Sequence, residues 1–75
     1  MEIQIQKTYI YSFLELSGKP KRFLESKVDC KILGYGVSTD TVTLSVLYET
    51  MEAFTTLSKS LHFRFGLLPE HTKHI

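Results

Sequence analysis

The stretch that most constrains the fold is Thr41–Leu61, in which one hydrophobic period gives way to another. Val42, Leu44 and Val46 alternate with small polar residues, which is the two-residue period of a strand with one buried face. Beyond Thr50, which is a suitable helix N-cap, the apolar residues recur at three- and four-residue steps. The sequence therefore predicts a strand that leads directly into a helix.

The residues before this unit predict a strand, a short helix and a second strand. Met1–Leu16 is rich in strand formers, and Lys7-Thr8 suggests a bulge or a break within it. Ser17–Pro20 combines a flexible glycine with a proline, which is typical of a helix start. Asp29–Tyr48 has the pattern of a β-hairpin.

The residues after this unit predict one more strand. Phe63, Phe65 and Leu67 alternate with less apolar residues, and Pro69 would stop the strand. Residues 69–75 are expected to form a flexible tail. The whole chain, residues 1–75, is then one α+β domain of order β-α-β-β-α-β. This is the ferredoxin-like split βαβ arrangement, a four-stranded antiparallel sheet with two helices on one face.

Composition narrows the class of protein. Apolar residues make up 43% of the chain and aromatic residues 12%, as in a globular domain. The net charge of +1 gives no overall attraction to nucleic acid or membrane. A single cysteine excludes an internal disulfide, and no apolar run approaches the ~20 residues of a membrane span. We therefore expect a soluble cytoplasmic protein.

The position of a binding surface depends on which side chains of the first strand point toward solvent. If Ile10 and Leu14 point toward the helices, the aromatic residues between them form a ladder on the open face, beside two cationic side chains. The candidate partner-binding surface is therefore Tyr9, Tyr11, Phe13, His62 and Arg64. Three interpretations remain open: a core with the opposite orientation, a protein interface, or a platform that stacks RNA bases. The third strand lacks the basic and aromatic motif of RNA-recognition sheets.

A second candidate is the loop that precedes the first helix. Its glycine and three cations are Gly18, Lys19, Lys21 and Arg22. Free N–H groups at a helix start, together with nearby cations, can hold an anion or a small ligand. The alternative is that these cations are simply solvated, and no phosphate-binding GxxxxGK[ST] motif is present.

No catalytic or metal-binding pattern is visible in the sequence. Cys30 is expected to be a structural residue on a strand. The histidines His62, His71 and His74 do not have the spacing of a metal site. We expect neither an enzyme nor a cofactor.

The order of elements, with a glycine at the first strand–helix junction, resembles an ACT-type regulatory domain. The stretches that carry this resemblance are FLELSGKPKRFL, CKILGYGVSTDTVTLSVLY and FTTLSKSLHFRF. The resemblance implies a side-by-side dimer with a small effector bound near Gly18. Lys19-Pro20 departs from the small or apolar pair that is usual there.

The leading hypothesis from the sequence is a small non-enzymatic binding or regulatory module, an inhibitor or adaptor. It would dock onto a protein partner or onto itself. An unpaired edge at Cys30–Tyr35 would be a second docking site, by strand addition. The alternatives are an ACT-like small-molecule-sensing dimer and a single-stranded RNA-binding domain.

Overall fold

The computed structural model describes residues 4–67 and 72–74, apart from the side chains of Glu15 and of residues 72–74. A single helical turn, Phe13–Leu16, follows the first strand. The other elements, in chain order, are β1 (Ile5–Ser12), α1 (Lys19–Glu25), β2 (Cys30–Val37), β3 (Thr41–Tyr48) and α2 (Met51–Phe65).

Among the described residues the sheet has three eight-residue strands in the order β2-β3-β1, and the three-residue segment Thr72–His74 pairs with the other side of β1. β3 is antiparallel to both of its neighbours, so β1 and β2 run parallel to each other on either side of it. The fold is α+β, with a three-stranded antiparallel sheet, two helices and the order β-α-β-β-α.

One face of β3 forms the centre of the core. Its four buried residues, Val42, Leu44, Val46 and Tyr48, are fully shielded from solvent. Leu24 of α1 and Leu57 and Leu61 of α2 belong to the same buried cluster. Both helices therefore cover the same face of the sheet, as the alternation along Thr41–Tyr48 predicts.

The predicted hairpin is confirmed, and it contains an irregularity at its outer strand. β2 and β3 pair from Cys30 opposite Tyr48 to Val37 opposite Val42. The register shifts between Ile32 and Gly34, so the strand contains a β-bulge there. At Lys7-Thr8 the sequence leaves open whether the strand has a bulge or a break, and the structure shows neither, because β1 pairs with β3 in continuous register.

Both predicted helix starts are confirmed. Gly18 has a φ of 81°, a left-handed conformation that glycine adopts without strain, and Pro20 lies in the first turn of α1. Thr50 caps α2, since its Oγ1 accepts a hydrogen bond of 3.0 Å from the N–H of Ala53.

The predicted fourth strand is wrong, and with it the four-stranded ferredoxin-like sheet. α2 continues to Phe65, where a strand was expected. Leu57, Leu61 and Phe65 continue the helical spacing of four, while Phe63 is 90% exposed and contributes nothing to a buried face. The alternation of aromatic residues at this point is coincidental.

Gly66 ends α2 in a left-handed conformation, with a φ of 70°. Its N–H donates a 2.9 Å hydrogen bond to the carbonyl oxygen of His62, and the N–H of Leu67 donates to that of Leu61. Leu67, only 3% exposed, returns the chain to the core. This is the glycine stop that commonly ends helices.

The predicted flexible tail lies partly outside the described residues, which exclude 68–71 and 75. Thr72–His74 lies antiparallel to β1, opposite Lys7–Tyr9. This three-residue pairing lies beyond the position of the strand predicted at Phe63–Leu67.

Replacing Gly66 with Ala is expected to lower the free energy of unfolding by about 1–2 kcal/mol, because only backbone strain opposes the added methyl group. Gly66→Asn should cost less, since asparagine tolerates the left-handed conformation. Urea unfolding followed by circular dichroism measures both. Gly36→Ala is the matched control, because Gly36 has an ordinary φ and open space around its Cβ position. An equal loss from Gly36→Ala would contradict the strain argument.

Candidate functional site

The predicted aromatic ladder does not lie on the open face of the sheet. Tyr9 and Tyr11 are only 1% and 6% exposed. They pair with Leu44 and Val42, and all four side chains point toward the helices. Phe13, which is half-buried, begins the helical turn after the strand. The expectation of an exposed ladder is therefore wrong, and the orientation with a tyrosine core holds.

The open face of the sheet is small and polar instead. Thr8 lies opposite Ser45, and their hydroxyl groups are 3.3 Å apart. Ile10, which is 43% exposed, lies opposite Thr43. In the described strands no aromatic side chain lies on this face, because Tyr35 of β2 pairs with Leu44 on the inner face. The face offers no platform for stacking bases.

Three hydroxyl groups form a network that joins β3 and α2 to β1. The Tyr9 hydroxyl is 2.7 Å from the Tyr48 hydroxyl and 2.9 Å from Oγ of Ser58 on α2. Burial raises the pKa of both tyrosines, and for Tyr48 the neighbouring Tyr9 raises it further. These hydroxyls stay protonated at neutral pH, so the network orients α2 on the sheet and supplies no acid or base.

The Tyr11 hydroxyl differs, because it is buried without a hydrogen-bond partner among the described residues. Burial, with a smaller contribution from Tyr35, raises the pKa of Tyr11 to about 12. Burying a hydroxyl without a hydrogen bond lowers the free energy of unfolding. The ring of Tyr11 is therefore what stabilises the core.

Lys7 is a feature that the sequence analysis missed. It lies on the inner face of β1, is 8% exposed, and places its Nζ 5.3 Å from the centre of the Phe54 ring. The alternation of Ile5, Lys7 and Tyr9 was the available signal, since residues two apart share a face. A lysine at such a position is accommodated because its stem is apolar.

His62 and Arg64 are exposed, as predicted, but they lie on α2 and not on a strand. Between them Phe63 projects into solvent, with 90% of its surface exposed. A concavity of about 720 Å³ borders this end of the helix. The described residues that line it are Ser58, Lys59, Ser60, His62, Phe63 and Arg64. We call Lys59, His62, Phe63 and Arg64 the α2 end surface.

A cluster centred on Phe23 joins the end of α2 to α1. Arg64 and Lys27 lie over the Phe23 ring, 5.1 Å and 4.9 Å from its centre. The Phe65 ring meets the same ring edge-on, with the centroids 5.9 Å apart. Neither cation forms an ion pair with another described residue; the single pair within that part of the chain is Lys21 with Glu25. Two positive charges that have no ion-pair partner in the described part of the chain are thus held beside one aromatic ring.

Within the predicted anion site Arg22 lies against the glycine, with a guanidinium nitrogen 3.7 Å from the Cβ position of Gly18. Lys21 forms a 2.7 Å ion pair with Glu25 and lies over the Tyr35 ring. Lys19 and Arg22 are exposed, and α1 is only seven residues long. Gly18 opens the helix, and this conformational role accounts for a glycine there. Lys21 is therefore engaged away from Gly18, and the anion site stays a prediction.

Cys30 is half-buried, and its Sγ donates a weak 3.6 Å hydrogen bond to the carbonyl oxygen of Leu24. Burial, and then the nearby Asp29, raise the pKa of its thiol, so it is not an activated nucleophile. No group of three metal-binding side chains occurs in the described residues. Of the other histidines considered, His71 and the side chain of His74 lie outside them. No helix in the described part of the chain is long and apolar enough to span a bilayer.

Comparisons with protein families, with curated proteins and with solved structures find no match for this chain. The sites must therefore be judged on their geometry and charge.

Tyr9 and Tyr11 of β1 are expected to respond differently to loss of the hydroxyl group. Tyr9→Phe should lower the free energy of unfolding by about 1–3 kcal/mol, because it removes two hydrogen bonds and leaves the buried Tyr48 hydroxyl short of a partner. Tyr11→Phe should leave it unchanged or raise it, since that hydroxyl has no partner to lose. Urea unfolding at neutral pH measures both values. Equal destabilisation by the two variants would show that the Tyr11 hydroxyl is hydrogen-bonded.

Proposed function

We propose that this protein is a small non-enzymatic binding module that docks onto a protein partner through the α2 end surface. The observation that carries the proposal is Phe63, a large apolar side chain that is 90% exposed on a helix of 15 residues. A partner that covered this side chain would gain about 1.5–3 kcal/mol from its burial.

The surroundings of Phe63 support this role. Lys59, His62 and Arg64 flank it on the same helix, and a concavity lies beside it. An aromatic anchor surrounded by polar and charged groups is the usual composition of an interface hot spot. The helix is held rigidly by the Thr50 cap, by the glycine stop and by the Tyr9–Ser58 hydrogen bond, so little order has to be gained on binding.

A second candidate is self-association through β2. This strand lies at the edge of the sheet and has no neighbour on its outer side in the described structure. Leu33 and Val37 on the strand, and Val28 just before it, are 45%, 53% and 87% exposed. Two copies of an exposed edge can pair around a twofold axis. The bulge at Ile32–Gly34 opposes pairing along the whole strand.

The other two alternatives have less support. The RNA-binding hypothesis depended on an aromatic sheet face, and Tyr9 and Tyr11 are in the core. The ACT-like hypothesis needs a ligand site near Gly18, where Lys21 is already paired with Glu25. The inhibitor or adaptor role remains part of the proposal, because the chemistry of a docking surface is the same in both.

Replacing Phe63 with Ser is expected to abolish binding of a protein partner while the fold is retained, because the side chain is almost fully exposed. Immobilised wild-type protein and Phe63→Ser would be compared for capture of proteins from the source cell. A captured protein would then be purified and titrated against both. Met51→Ser is the matched control, since Met51 is exposed at the opposite end of α2. A partner that binds Phe63→Ser as tightly as the wild type would contradict the proposal.

Self-association through β2 predicts a monomer–dimer equilibrium in sedimentation velocity at micromolar concentration. Leu33→Lys should shift it toward monomer, because a charge at this exposed edge position opposes pairing. Ile10→Lys, which places the same charge on the open sheet face, should have no effect. A strict monomer at every concentration would rule out this candidate.

A further inference from the structure

The positive charge of this protein is concentrated on one part of its surface, although the net charge is only +1. Residues 19–27 and 59–64 contain six Lys or Arg and one Asp or Glu, a local charge of +5. The rest of the chain contains three Lys or Arg and seven Asp or Glu, a charge of −4. The near-neutral composition therefore conceals a strong separation of charge.

The tertiary structure brings the two basic segments together. Arg64 of α2 and Lys27, just after α1, both lie over the Phe23 ring, and Phe65 packs against that ring. Phe63, the exposed anchor, is the residue next to Arg64. We call the six cations of these segments, together with Phe63, the basic helical surface: Lys19, Lys21, Arg22, Lys27, Lys59, Arg64 and Phe63.

Among the described residues a carboxylate neutralises one cation of this surface, Lys21, through its pair with Glu25. Lys27 and Arg64 have no acidic partner among the described residues. Two like charges held close together repel each other, and an opposite charge brought by a partner relieves that repulsion. Arg64 can in addition bind a carboxylate through two parallel hydrogen bonds.

We infer that the partner is a protein segment that combines carboxylate groups with an apolar side chain, bound across the basic helical surface. The inference rests on the proposed function, because Phe63 supplies the apolar contact. The carboxylates would face Lys27 and Arg64, and the apolar side chain would cover Phe63.

A localised acidic segment fits the charge distribution better than a nucleic acid does. A long polyanion extends beyond one patch, and the remainder of this chain has an excess of four negative charges that would repel it. The open sheet face, which could otherwise bind bases, has no aromatic side chain in the described strands. An acidic and apolar peptide can be short enough to stay within the basic helical surface.

The test uses a short fluorescent peptide of alternating Glu and Leu, a peptide in which Gln replaces Glu, and a uridine oligonucleotide of the same length. Fluorescence anisotropy with the full chain should show micromolar binding of the Glu peptide that weakens as salt is added, and much weaker binding of the other two. Tighter binding of the oligonucleotide would overturn the inference in favour of nucleic acid. Equal binding of the Gln peptide would show that the carboxylates are irrelevant.

Variants locate the binding site. Lys27→Gln combined with Arg64→Gln should weaken binding of the Glu peptide about tenfold or more, since both groups lie in the proposed contact. Lys31→Gln removes a charge from the exposed edge strand and should change it less than about twofold. Equal effects would overturn the assignment of the surface, and circular dichroism verifies the fold of each variant.

Failure of the acidic-partner inference can be distinguished from failure of the proposed docking through Phe63. A Phe63-dependent protein partner that binds equally well to the Lys27→Gln, Arg64→Gln double variant would overturn the acidic partner and leave docking through Phe63 intact. Absence of both peptide binding and any Phe63-dependent partner would overturn both.

Discussion

The fold depends on the burial of one face of β3. Four consecutive inward positions, from Val42 to Tyr48, are inaccessible to solvent, and each such side chain contributes about 1.5–3 kcal/mol when it leaves water. β3 is also the strand between the other two, so its inner face sets the orientation of both neighbours through antiparallel pairing. A shift of one residue in either pairing would move a complete set of side chains to the wrong face. The positions of both helices follow, because Leu24, Leu57 and Leu61 have this one surface to cover.

The orientation of β1 illustrates the constraint. YIYSFLEL is apolar on both faces, so its own pattern permits either orientation. Pairing with β3 places Tyr9 opposite Leu44, and the Tyr9 hydroxyl then reaches Tyr48 and Ser58. In this orientation the buried Tyr9 hydroxyl has hydrogen-bond partners. In the opposite orientation the Tyr9 side chain would lie in solvent and would not pack in the core. The strand that carried the most attractive candidate site is therefore part of the core.

The candidate surfaces consist of residues that do not contribute to the core. Phe63 is exposed because its side of α2 points away from the sheet, and Leu33 and Val37 are exposed because β2 is an edge strand. The separation of charge has the same origin: α1 and α2 pack side by side, and their solvent sides carry most of the cations. A domain of this size buries few side chains, so the candidate surfaces are formed by exposed side chains that the buried layer supports.

The sequence by itself determined the strand–helix unit at Thr41–Leu61, the β2–β3 hairpin and both helix starts. Those features depend on local periods and on caps such as Gly18 and Thr50, which act within a few residues. It also showed, correctly, which face of β3 is buried.

Two matters were decided by the tertiary structure alone. The sequence around Phe63 and Phe65 is compatible with either a strand or a helix. The structure has a helix there, because Leu61 and Phe65 pack on the core and Gly66 ends the helix. The meeting of Lys27 and Arg64 on Phe23 joins residues that are distant in the chain, and packing of one helix against the other is what brings them together.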